Sequence, residues 1–324
     1  MQPFRLKSVC KDYLWGGEQL KAWGKGENLD RVAESWELAA HPDGESTVLD
    51  GPFAGWPLSR LALKHPEAVL PGFQPGSNFP LMVKLIDAKQ SLSIQVHPDN
   101  EYAARMEGGQ GKTEMWYVLD HTPGAFLYLG FEKKIGREEL ANAISEGMLT
   151  GLLRRFDVRR GDSFFIPAGT IHAIGGGILL VEIQENSNIT YRVFDYNRLG
   201  TDGKPRSLHV EKALAVVRRE PPNPAPPGAK APCAVQGGTL EVMVRCPQFR
   251  AGILRLDGRW ESAPGKGFLS LLCLKGSAVL SHEGVSLEAE RGTSLFVPAD
   301  AGPFALTSGR EGAEFLLTAP DGTS

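Results

Sequence analysis

Two histidines and a glutamate carry side chains suited to hold a divalent metal ion: His97, Glu114 and His172. Neutral imidazoles and a carboxylate are ligands that Zn²⁺ prefers, and three protein ligands with one open position are typical of a catalytic zinc site. The three residues come from separate segments, so their spacing alone leaves a second interpretation open. In that interpretation each histidine lies at a strand end and is hydrogen-bonded to backbone.

The strand that leads to the first of these histidines has an unusual polar face. Residues 91–100 read SLSIQVHPDN, in which apolar residues alternate with Ser93, Gln95 and His97. Successive side chains of a strand point to opposite faces, so these three share one face. Gln95 could therefore add an amide oxygen to the metal ligands. The pattern alone leaves open whether this face meets water or a buried site.

Three further charged residues lie in strand-like segments. Lys112 precedes Glu114 by two residues, so the two share a face of a strand, unless Lys112 is a solvated charge of the loop after GGQG. Glu182 enters the apolar row of ILLVEIQE, residues 178–185, where burial would raise the pKa of its carboxyl. Arg192, in NITYRVFDY, is by itself typical of a surface or ion-paired arginine.

Short apolar runs predict a chain built mainly from β-strands, because 38 glycines and 23 prolines interrupt them. The predicted strands span 80–87, 91–97, 114–120, 163–167, 177–185, 189–195, 240–245, 250–256, 268–274, 285–289, 294–298 and 313–318. Helical spacing of apolar residues predicts one helix within 136–155. Asp99 and Ser207 are candidate caps of two shorter helices that reach Arg105 and Arg218.

A proline-rich stretch and an internal repeat divide the chain near residue 230. The stretch PPNPAPPGAKAP, residues 221–232, is a predicted linker because its prolines remove backbone donors. On either side of it, RRGDSFFIPAG at 159–169 resembles ERGTSLFVPAD at 290–300, which suggests one architecture used twice. Only the first copy continues to a histidine, so we expect metal ligands in that copy alone.

The overall composition is that of a globular protein and indicates neither a nucleic-acid nor a membrane partner. Hydrophobic residues make up 42% and charged residues 23%, and the formal net charge is −3. No run approaches the roughly 18 apolar residues of a membrane helix. The four cysteines have no CxxC spacing and are interpreted as reduced thiols, which predicts a cytoplasmic location. Composition does not predict the oligomeric state.

The segment that ends at His172 resembles the second motif of the cupin superfamily. Residues 161–172, GDSFFIPAGTIH, supply the glycine, proline, glycine and histidine of that motif as Gly161, Pro167, Gly169 and His172. The first cupin motif is met only in a stretched form, and the usual later asparagine is replaced by a glycine. The motif is typical of jelly-roll β-barrels.

Several separate segments resemble type I mannose-6-phosphate isomerase in its shorter bacterial form. They are FPLMVKLIDAKQSLSIQVHPDN (79–100), GKTEMWYVLD (111–120), IPAGTIHAIGGGILLVEIQENSNITYRVFDYNR (166–198), YLWGG (13–17) and AESWEL (33–38). The likeness covers most of residues 1–210 and weakens beyond 235, where only the cupin-like repeat supports it.

The resemblance implies a mainly β fold of two cupin-like, jelly-roll β-barrels with a small helical insertion. The first domain, residues 1–230, would include the N-terminal strands, the metal site and the helical insertion near 132–156. The second, residues 231–324, would be a degenerate cupin-like copy without metal ligands.

Carried over residue by residue, the resemblance implies one Zn²⁺ per chain and a sugar phosphate as the small-molecule partner. The implied zinc ligands are Gln95, His97, Glu114 and His172. Arg192 would lie beside the reacting carbons, with Ser93 and Lys112 near the phosphate, and Glu182 matches a buried carboxylate considered for proton transfer. The polar face of residues 91–100 would then line the mouth of the first barrel.

The implied reaction interconverts mannose 6-phosphate and fructose 6-phosphate through a cis-enediol or enediolate. A proton moves between C1 and C2, so the site must hold a base and stabilise an oxyanion. Zinc can polarise the carbonyl oxygen, and Arg192 can supply a fixed positive charge. We favour Glu182 as the base; a zinc-bound water and a lysine or histidine of the site are the alternatives.

Two other functions remain open from the sequence. Two histidines and one carboxylate also form the iron(II) site of cupin oxygenases, although a fourth ligand from Gln95 would fill a position that oxygen needs. The chain could instead be a sugar-phosphate-binding module that keeps the pocket without turnover. Metal analysis, oxygen consumption and exchange of the C2 proton distinguish the three functions.

Overall fold

The computed structural model describes residues 1–200, 203–223, 225–262 and 265–321 and consists mainly of β-strands. The strands before the linker are β1 (Phe4–Lys7), β2 (Val9–Lys11), β3 (Glu34–Leu38), β4 (Ala40–His41), β5 (Gly44–Glu45), β6 (Thr47–Val48), β7 (Leu81–Ala88), β8 (Ile94–Val96), β9 (Glu114–His121), β10 (Phe126–Phe131), β11 (Leu153–Asp157), β12 (Ser163–Ile166), β13 (His172–Ile174), β14 (Ile178–Glu185) and β15 (Tyr191–Phe194). The later strands are β16 (Lys230–Val235), β17 (Gly238–Arg245), β18 (Phe249–Leu256), β19 (Arg259–Ser262), β20 (Leu269–His282), β21 (Val285–Glu290), β22 (Ser294–Val297) and β23 (Phe304–Pro320).

The helices are short. The α-helices are α1 (Leu58–Lys64), α2 (Asn100–Glu107), α3 (Arg137–Ser145) and α4 (Val210–Val216), and single 3₁₀ turns span Gln19–Trp23, Gly51–Phe53, Pro66–Ala68 and Leu149–Leu152. Within the described ranges, no helix combines the length and apolarity needed to cross a membrane.

The first half of the chain contains a six-stranded sheet with the strand order β12-β9-β14-β7-β3-β2. Strands β7 and β14 pair antiparallel at its centre, and every residue of both is buried. Strands covered on both faces are expected to be almost wholly apolar. Lys84 in β7 and Glu182 in β14 break that rule, so each charge needs a buried partner.

A five-stranded sheet, β11-β10-β13-β8-β15, packs on the first sheet. Their shared core includes Trp116 and Leu180 from one sheet and Leu127 and Ile174 from the other. The predicted mainly β class is confirmed. In the described part of the chain neither sheet's strand order closes on itself, so this half is a sandwich of two open sheets, and the term barrel describes the expected jelly-roll fold only loosely.

The C-terminal sheet has ten strands and also contains the start of the chain. Strand β1 pairs antiparallel with β22, and the rings of Phe4 and Phe296 stack with centroids 5.2 Å apart. A buried polar group reinforces this junction, because Lys25 Nζ donates to Glu37 Oε2 at 2.8 Å and to the Gly292 carbonyl at 2.7 Å. The first strand, which we placed with the N-terminal domain, therefore pairs within the C-terminal sheet.

The internal repeat corresponds to a repeated local structure. Gly161 precedes β12 and Gly292 precedes β22, and their φ angles are 91° and 93°. Such angles strain any residue with a Cβ, which explains why both copies use glycine at the turn. The repeat thus reflects the same turn and strand in both halves.

Every predicted strand overlaps an observed one, whereas the predicted helices are confirmed only in part. Asp99 caps α2, since its Oδ1 accepts from the Tyr102 amide at 2.8 Å. The helix predicted within 136–155 is wrong beyond Ser145, because Gly147 adopts φ of 71° and residues from Leu153 form an edge strand.

The predicted cap at Ser207 is also wrong. Helix α4 begins at Val210, after an N-cap position held by His209. The Ser207 carbonyl instead accepts a hydrogen bond from Arg192 Nη1 at 3.0 Å.

Candidate functional site

Three strands bring His97, Glu114 and His172 together in the interior. His97 directly follows β8, Glu114 begins β9 and His172 begins β13, and all three side chains are at least 99% buried. Their ligand atoms lie within 4.8 Å of one another. The Nε2 atom of His172 is 3.2 Å from Glu114 Oε1, and Nε2 of His97 is 3.7 Å from Glu114 Oε2.

Both histidines are fixed by backbone carbonyls on the side away from the glutamate. Nδ1 of His97 donates to the Ile189 carbonyl, and Nδ1 of His172 donates to the Thr170 carbonyl, each at 2.8 Å. A carbonyl only accepts, so each Nδ1 carries the proton and each Nε2 presents a lone pair. Backbone-bonded histidines and a metal site are therefore not alternatives here, because this tautomer is the one that metal-binding histidines adopt.

One carboxylate oxygen of Glu114, Oε1, faces the lone pair of His172 without a hydrogen-bond donor among the described residues. In the described residues, buried Glu114 Oε1 has no hydrogen-bond partner, although it lies 3.2 Å from His172 Nε2. Two acceptors at that distance need a proton or a cation between them. Burial and the nearby Glu182 raise the pKa of Glu114 to about 7, while burial lowers the pKa of His172 to about 4. The donor set suits a divalent cation such as Zn²⁺.

Gln95 lies beside this cluster on the same polar face. Its Nε2 is 3.4 Å from His172 Nε2, and its Oε1 accepts from the Ser93 hydroxyl at 3.3 Å. A carboxamide turned by 180° exchanges the places of its oxygen and nitrogen. The turned amide would direct its oxygen toward the cluster, as a fourth ligand requires.

A chain of buried ion pairs runs from the cluster into the six-stranded sheet. The Lys112 ammonium contacts Glu114 Oε2 and lies 3.5 Å from Glu182 Oε1. Glu182 also lies 3.6 Å from Lys84 Nζ and accepts from Trp116 Nε1 at 3.0 Å. Lys112 is 4% exposed, so it is not a solvated loop charge.

The direction of the Glu182 pKa differs from our expectation. Burial alone raises it, but Lys112, Lys84 and the hydrogen bond from Trp116 act against burial and hold the pKa below its usual range. The sequence showed an apolar row around Glu182 and not the two ammonium groups that face it. Glu182 is therefore ionised at neutral pH.

Sequence reasoning missed three residues at the far end of the chain of ion pairs. Lys84 Nζ lies 3.7 Å from Glu34 Oε2 and 4.8 Å from the ring centroid of Trp36, whose Nε1 donates to Glu34 at 2.6 Å. Lys84 between the apolar residues of LMVKLI, residues 81–86, was the available signal. A charge in a strand that is otherwise apolar indicates a buried partner.

Arg192 lies on the opposite side of Gln95 from His172. Strand β8 pairs with both β13 and β15, which places His172 and Arg192 directly across from Gln95 on its two neighbours. Buried Arg192 Nε has no hydrogen-bond partner among the described residues. A cavity of about 280 Å³ brings together the predicted residues Ser93, Gln95, Lys112, Glu182 and Arg192, and adds Arg206.

Comparisons with known proteins agree with this arrangement. Residues 3–124 match the model of the phosphomannose isomerase type I catalytic domain, and residues 239–313 match that of the mannose-6-phosphate isomerase cupin domain. A probable mannose-6-phosphate isomerase of Bacillus subtilis (strain 168), GmuF, is 38% identical over 323 residues, which cover 98% of this chain and 99% of that protein.

Two solved structures have a similar fold. The crystal structure of the mannose 6-phosphate isomerase from Bacillus subtilis has a TM-score of 0.91 at 34% identity and covers 98% of this chain and 99% of that one. A mannose 6-phosphate isomerase described as holo and zinc-bound has a TM-score of 0.76 at 17% identity and covers 99% of this chain and 100% of that one. At that identity the second comparison shows a shared fold.

Proposed function

Because the chain belongs to the type I mannose-6-phosphate isomerase family, we propose that its buried His97–Glu114–His172 cluster is the catalytic centre for interconverting mannose 6-phosphate and fructose 6-phosphate. The observation that carries this proposal is the orientation of the cluster. Two Nε2 lone pairs and an unpartnered carboxylate oxygen converge beside a cavity that also holds Lys112 and Glu182.

One Zn²⁺ per chain fits these residues, and a relative of the same fold is described as zinc-bound. His97, Glu114 and His172 would hold the ion, with Gln95 as the fourth ligand once its amide is turned. Bound there, the ion supplies Lewis-acid polarisation of the oxygens at C1 and C2. The hydrogen bonds to the Ile189 and Thr170 carbonyls keep both imidazoles in the ligand tautomer before any ion arrives.

Glu182 is the proposed base for the carbon-bound proton. The isomerisation removes the proton on C2 of the aldose and returns it to C1, while the hydroxyl proton on O2 passes to O1. Lys112 and Lys84 keep Glu182 ionised, so it can accept the C2 proton at neutral pH. Its hydrogen bond from Trp116 Nε1 fixes the direction of the carboxylate.

Lys112 and Arg192 are the proposed sources of positive charge for the enediolate. Lys112 is buried between two carboxylates, and Glu114 and Glu182 keep its pKa above the usual range despite burial. It is therefore a fixed cation beside the base. Arg192 faces the same cavity from β15, and fixed charges aimed at a developing oxyanion lower the barrier without reorganisation.

Ser93 supports substrate binding through its position on the same polar face. Ser93 lies two residues before Gln95, and its hydroxyl donates to Gln95 Oε1. Ser93 also borders the cavity. We infer that the partner is a small sugar phosphate, that neither nucleic acid nor membrane is a partner, and that the protein is cytoplasmic. The charge balance and the cysteine usage support these inferences.

The test is a coupled assay that converts mannose 6-phosphate to fructose 6-phosphate. It is run on protein as purified, after chelation and after zinc is restored, with metal content measured in each sample. His97→Gln is expected to lose both zinc and turnover, whereas His121→Gln at the far end of β9 should keep both. Folded, zinc-loaded protein without turnover would contradict the isomerase proposal and favour a binding module, and oxygen consumption with iron would favour an oxygenase.

A further inference from the structure

A second charged cluster lies at the other end of the cavity, around Asp195. Arg206 donates to this carboxylate through Nε at 2.7 Å and Nη2 at 2.6 Å, and Arg198 donates through Nη2 at 2.5 Å. Asp195 is 5% exposed, so the cluster is built into the fold. Tyr196 and Asn197 have φ of 55° and 54°, and this left-handed turn brings Arg198 back onto Asp195.

The two ends of the cavity differ in charge. At the metal end, the two lysines of the buried chain of ion pairs are outnumbered by its three carboxylates, which leaves one negative charge for a cation. At the other end, Arg198 and Arg206 form ion pairs with Asp195, and Arg192 faces the same cavity as Arg206, so three guanidinium groups and one carboxylate leave two positive charges. Burial and the neighbouring Arg206 lower the pKa of Arg192, as expected for cations that face each other. This end is suited to a dianion.

Strand β8 connects the two ends. Ser93, Gln95 and His97 share its polar face, and alternate residues of a strand lie about 7 Å apart. His97 stands at the metal end, and Ser91, just before Ser93, accepts from Arg198 Nη1 through its carbonyl at 2.6 Å. The face therefore runs from the metal ligands to the arginine cluster, the direction in which an open six-carbon chain would lie.

Lys112 is poorly placed to bind the phosphate. It is 4% exposed and its ammonium is engaged by Glu114 and Glu182. A phosphate at Lys112 would meet those two carboxylates, which would repel it. Arg206, by contrast, commits two donors to Asp195 out of the five that a guanidinium carries, and it borders the cavity.

We propose that Arg206 binds the phosphate of the sugar phosphate together with Ser93, and that Asp195 is the residue that positions Arg206. The proposal rests on the isomerase function proposed above and adds the group that selects a phosphorylated sugar. Arg192 then lies between the phosphate and the reacting carbons, because it pairs in register with Gln95.

The test compares Arg206→Gln with Arg155→Gln, which changes an exposed arginine on β11. Kinetics with mannose 6-phosphate give kcat and KM, and titration calorimetry of the zinc-loaded protein with inorganic phosphate gives a Kd without turnover. For Arg206→Gln we expect KM and the phosphate Kd to rise by about 10- to 100-fold, with kcat within about threefold of wild type. Arg155→Gln should leave all three unchanged.

The outcomes separate the two proposals. Wild-type values of KM and phosphate Kd in folded Arg206→Gln would overturn the role of Arg206. So would a raised KM with an unchanged phosphate Kd, since that indicates a structural effect on the sugar site. Wild-type protein that binds phosphate but does not isomerise the sugar would contradict the proposed function alone.

Two further variants test the proposal even if Arg206→Gln does not fold. Arg206→Lys keeps the charge beside Asp195 but loses the forked donor, so KM and phosphate Kd should still rise by more than about threefold; unchanged values would overturn the proposal. Asp195→Asn should raise KM more than it lowers kcat, because it frees Arg206 without removing it. A fall in kcat at constant KM would contradict the positioning role.

Discussion

Glu182 and Lys84 stand directly opposite each other on two antiparallel strands, with Lys84 Nζ 3.6 Å from Glu182 Oε1. Glu182 is 4% exposed and Lys84 is 3% exposed. The next strand places Trp116 across from Glu182 on its other side. Glu182, the proposed base, therefore lies between Lys84 and Trp116 on the two neighbouring strands. The pairing register of these strands places the groups that keep its carboxyl ionised.

Loss of Lys84 should shift the pH dependence of turnover. In Lys84→Met the ionised form of Glu182 loses one of its two ammonium partners, so the pKa of Glu182 rises. The base acts in its ionised form, and the acid limb of the kcat profile is therefore expected to move to higher pH by about one unit or more. Lys64→Met, at an exposed position, is the matched control. An acid limb that stays in place would show that Glu182 is not the group seen in the profile.

Glu182→Gln should lower kcat by about 10²- to 10⁴-fold, the range expected for loss of a general base. The amide oxygen can still accept from Trp116 Nε1, so the local structure should persist. Zinc content and KM are measured beside kcat, and exchange of the C2 proton with solvent deuterium reports the proton transfer itself. Glu138→Gln on α3 serves as control. Undiminished exchange in Glu182→Gln would assign the base to another group.

Zinc binding should release a proton below neutrality and not above it. Without the ion the pKa of Glu114 is about 7, so this carboxyl is mostly protonated at pH 6 and mostly ionised at pH 8.5. The pKa of His172 is about 4 and that of His97 lies well below its usual range, so neither imidazole adds a proton at pH 6. Zinc affinity is therefore expected to fall as pH falls below 7. Calorimetry in buffers of different ionisation enthalpy counts the protons, and equal release at both pH values would contradict the assignment.

Lys25 should contribute strongly to stability while lying outside the catalytic cavity. Lys25→Met removes the ammonium that pairs with Glu37 and donates to the Gly292 carbonyl, and breaking a buried ion pair in this way costs about 3 kcal/mol or more. Lys21→Met, an exposed change in the same 3₁₀ turn region, should cost less than about 0.5 kcal/mol. Chemical unfolding of both variants gives the comparison. Equal unfolding midpoints would show that the junction does not limit stability.

The sequence predicted the local features that depend on periodicity and turn chemistry. The alternation around Gln95 identified a strand with one polar face, and that face does line an interior site. Glycine at 161 and 292 identified the repeated turn. The three metal-ligand candidates come together as the family resemblance implied, although no spacing rule connects His97 to His172.

The features that were missed depend on contacts across strands. Lys84 in an apolar run gave no indication that it faces Glu182, because only the pairing register defines that contact. The pKa of Glu182 was expected to rise for the same reason. Arg206 lies beyond the segments that carried the resemblance most clearly, and only its ion pair with Asp195 reveals a role.

The pairing of β1 with β22 makes assembly depend on the whole chain. Strand β1 lies between β6 and β22, so it can pair with β6 soon after both are synthesised, whereas its pairing with β22 must wait until residues 294–296 are present. A fragment of the second cupin copy alone would, conversely, present β22 as an open edge, which invites pairing with other chains. A cut at the linker would separate β1 and β6 from β22 and expose that same edge.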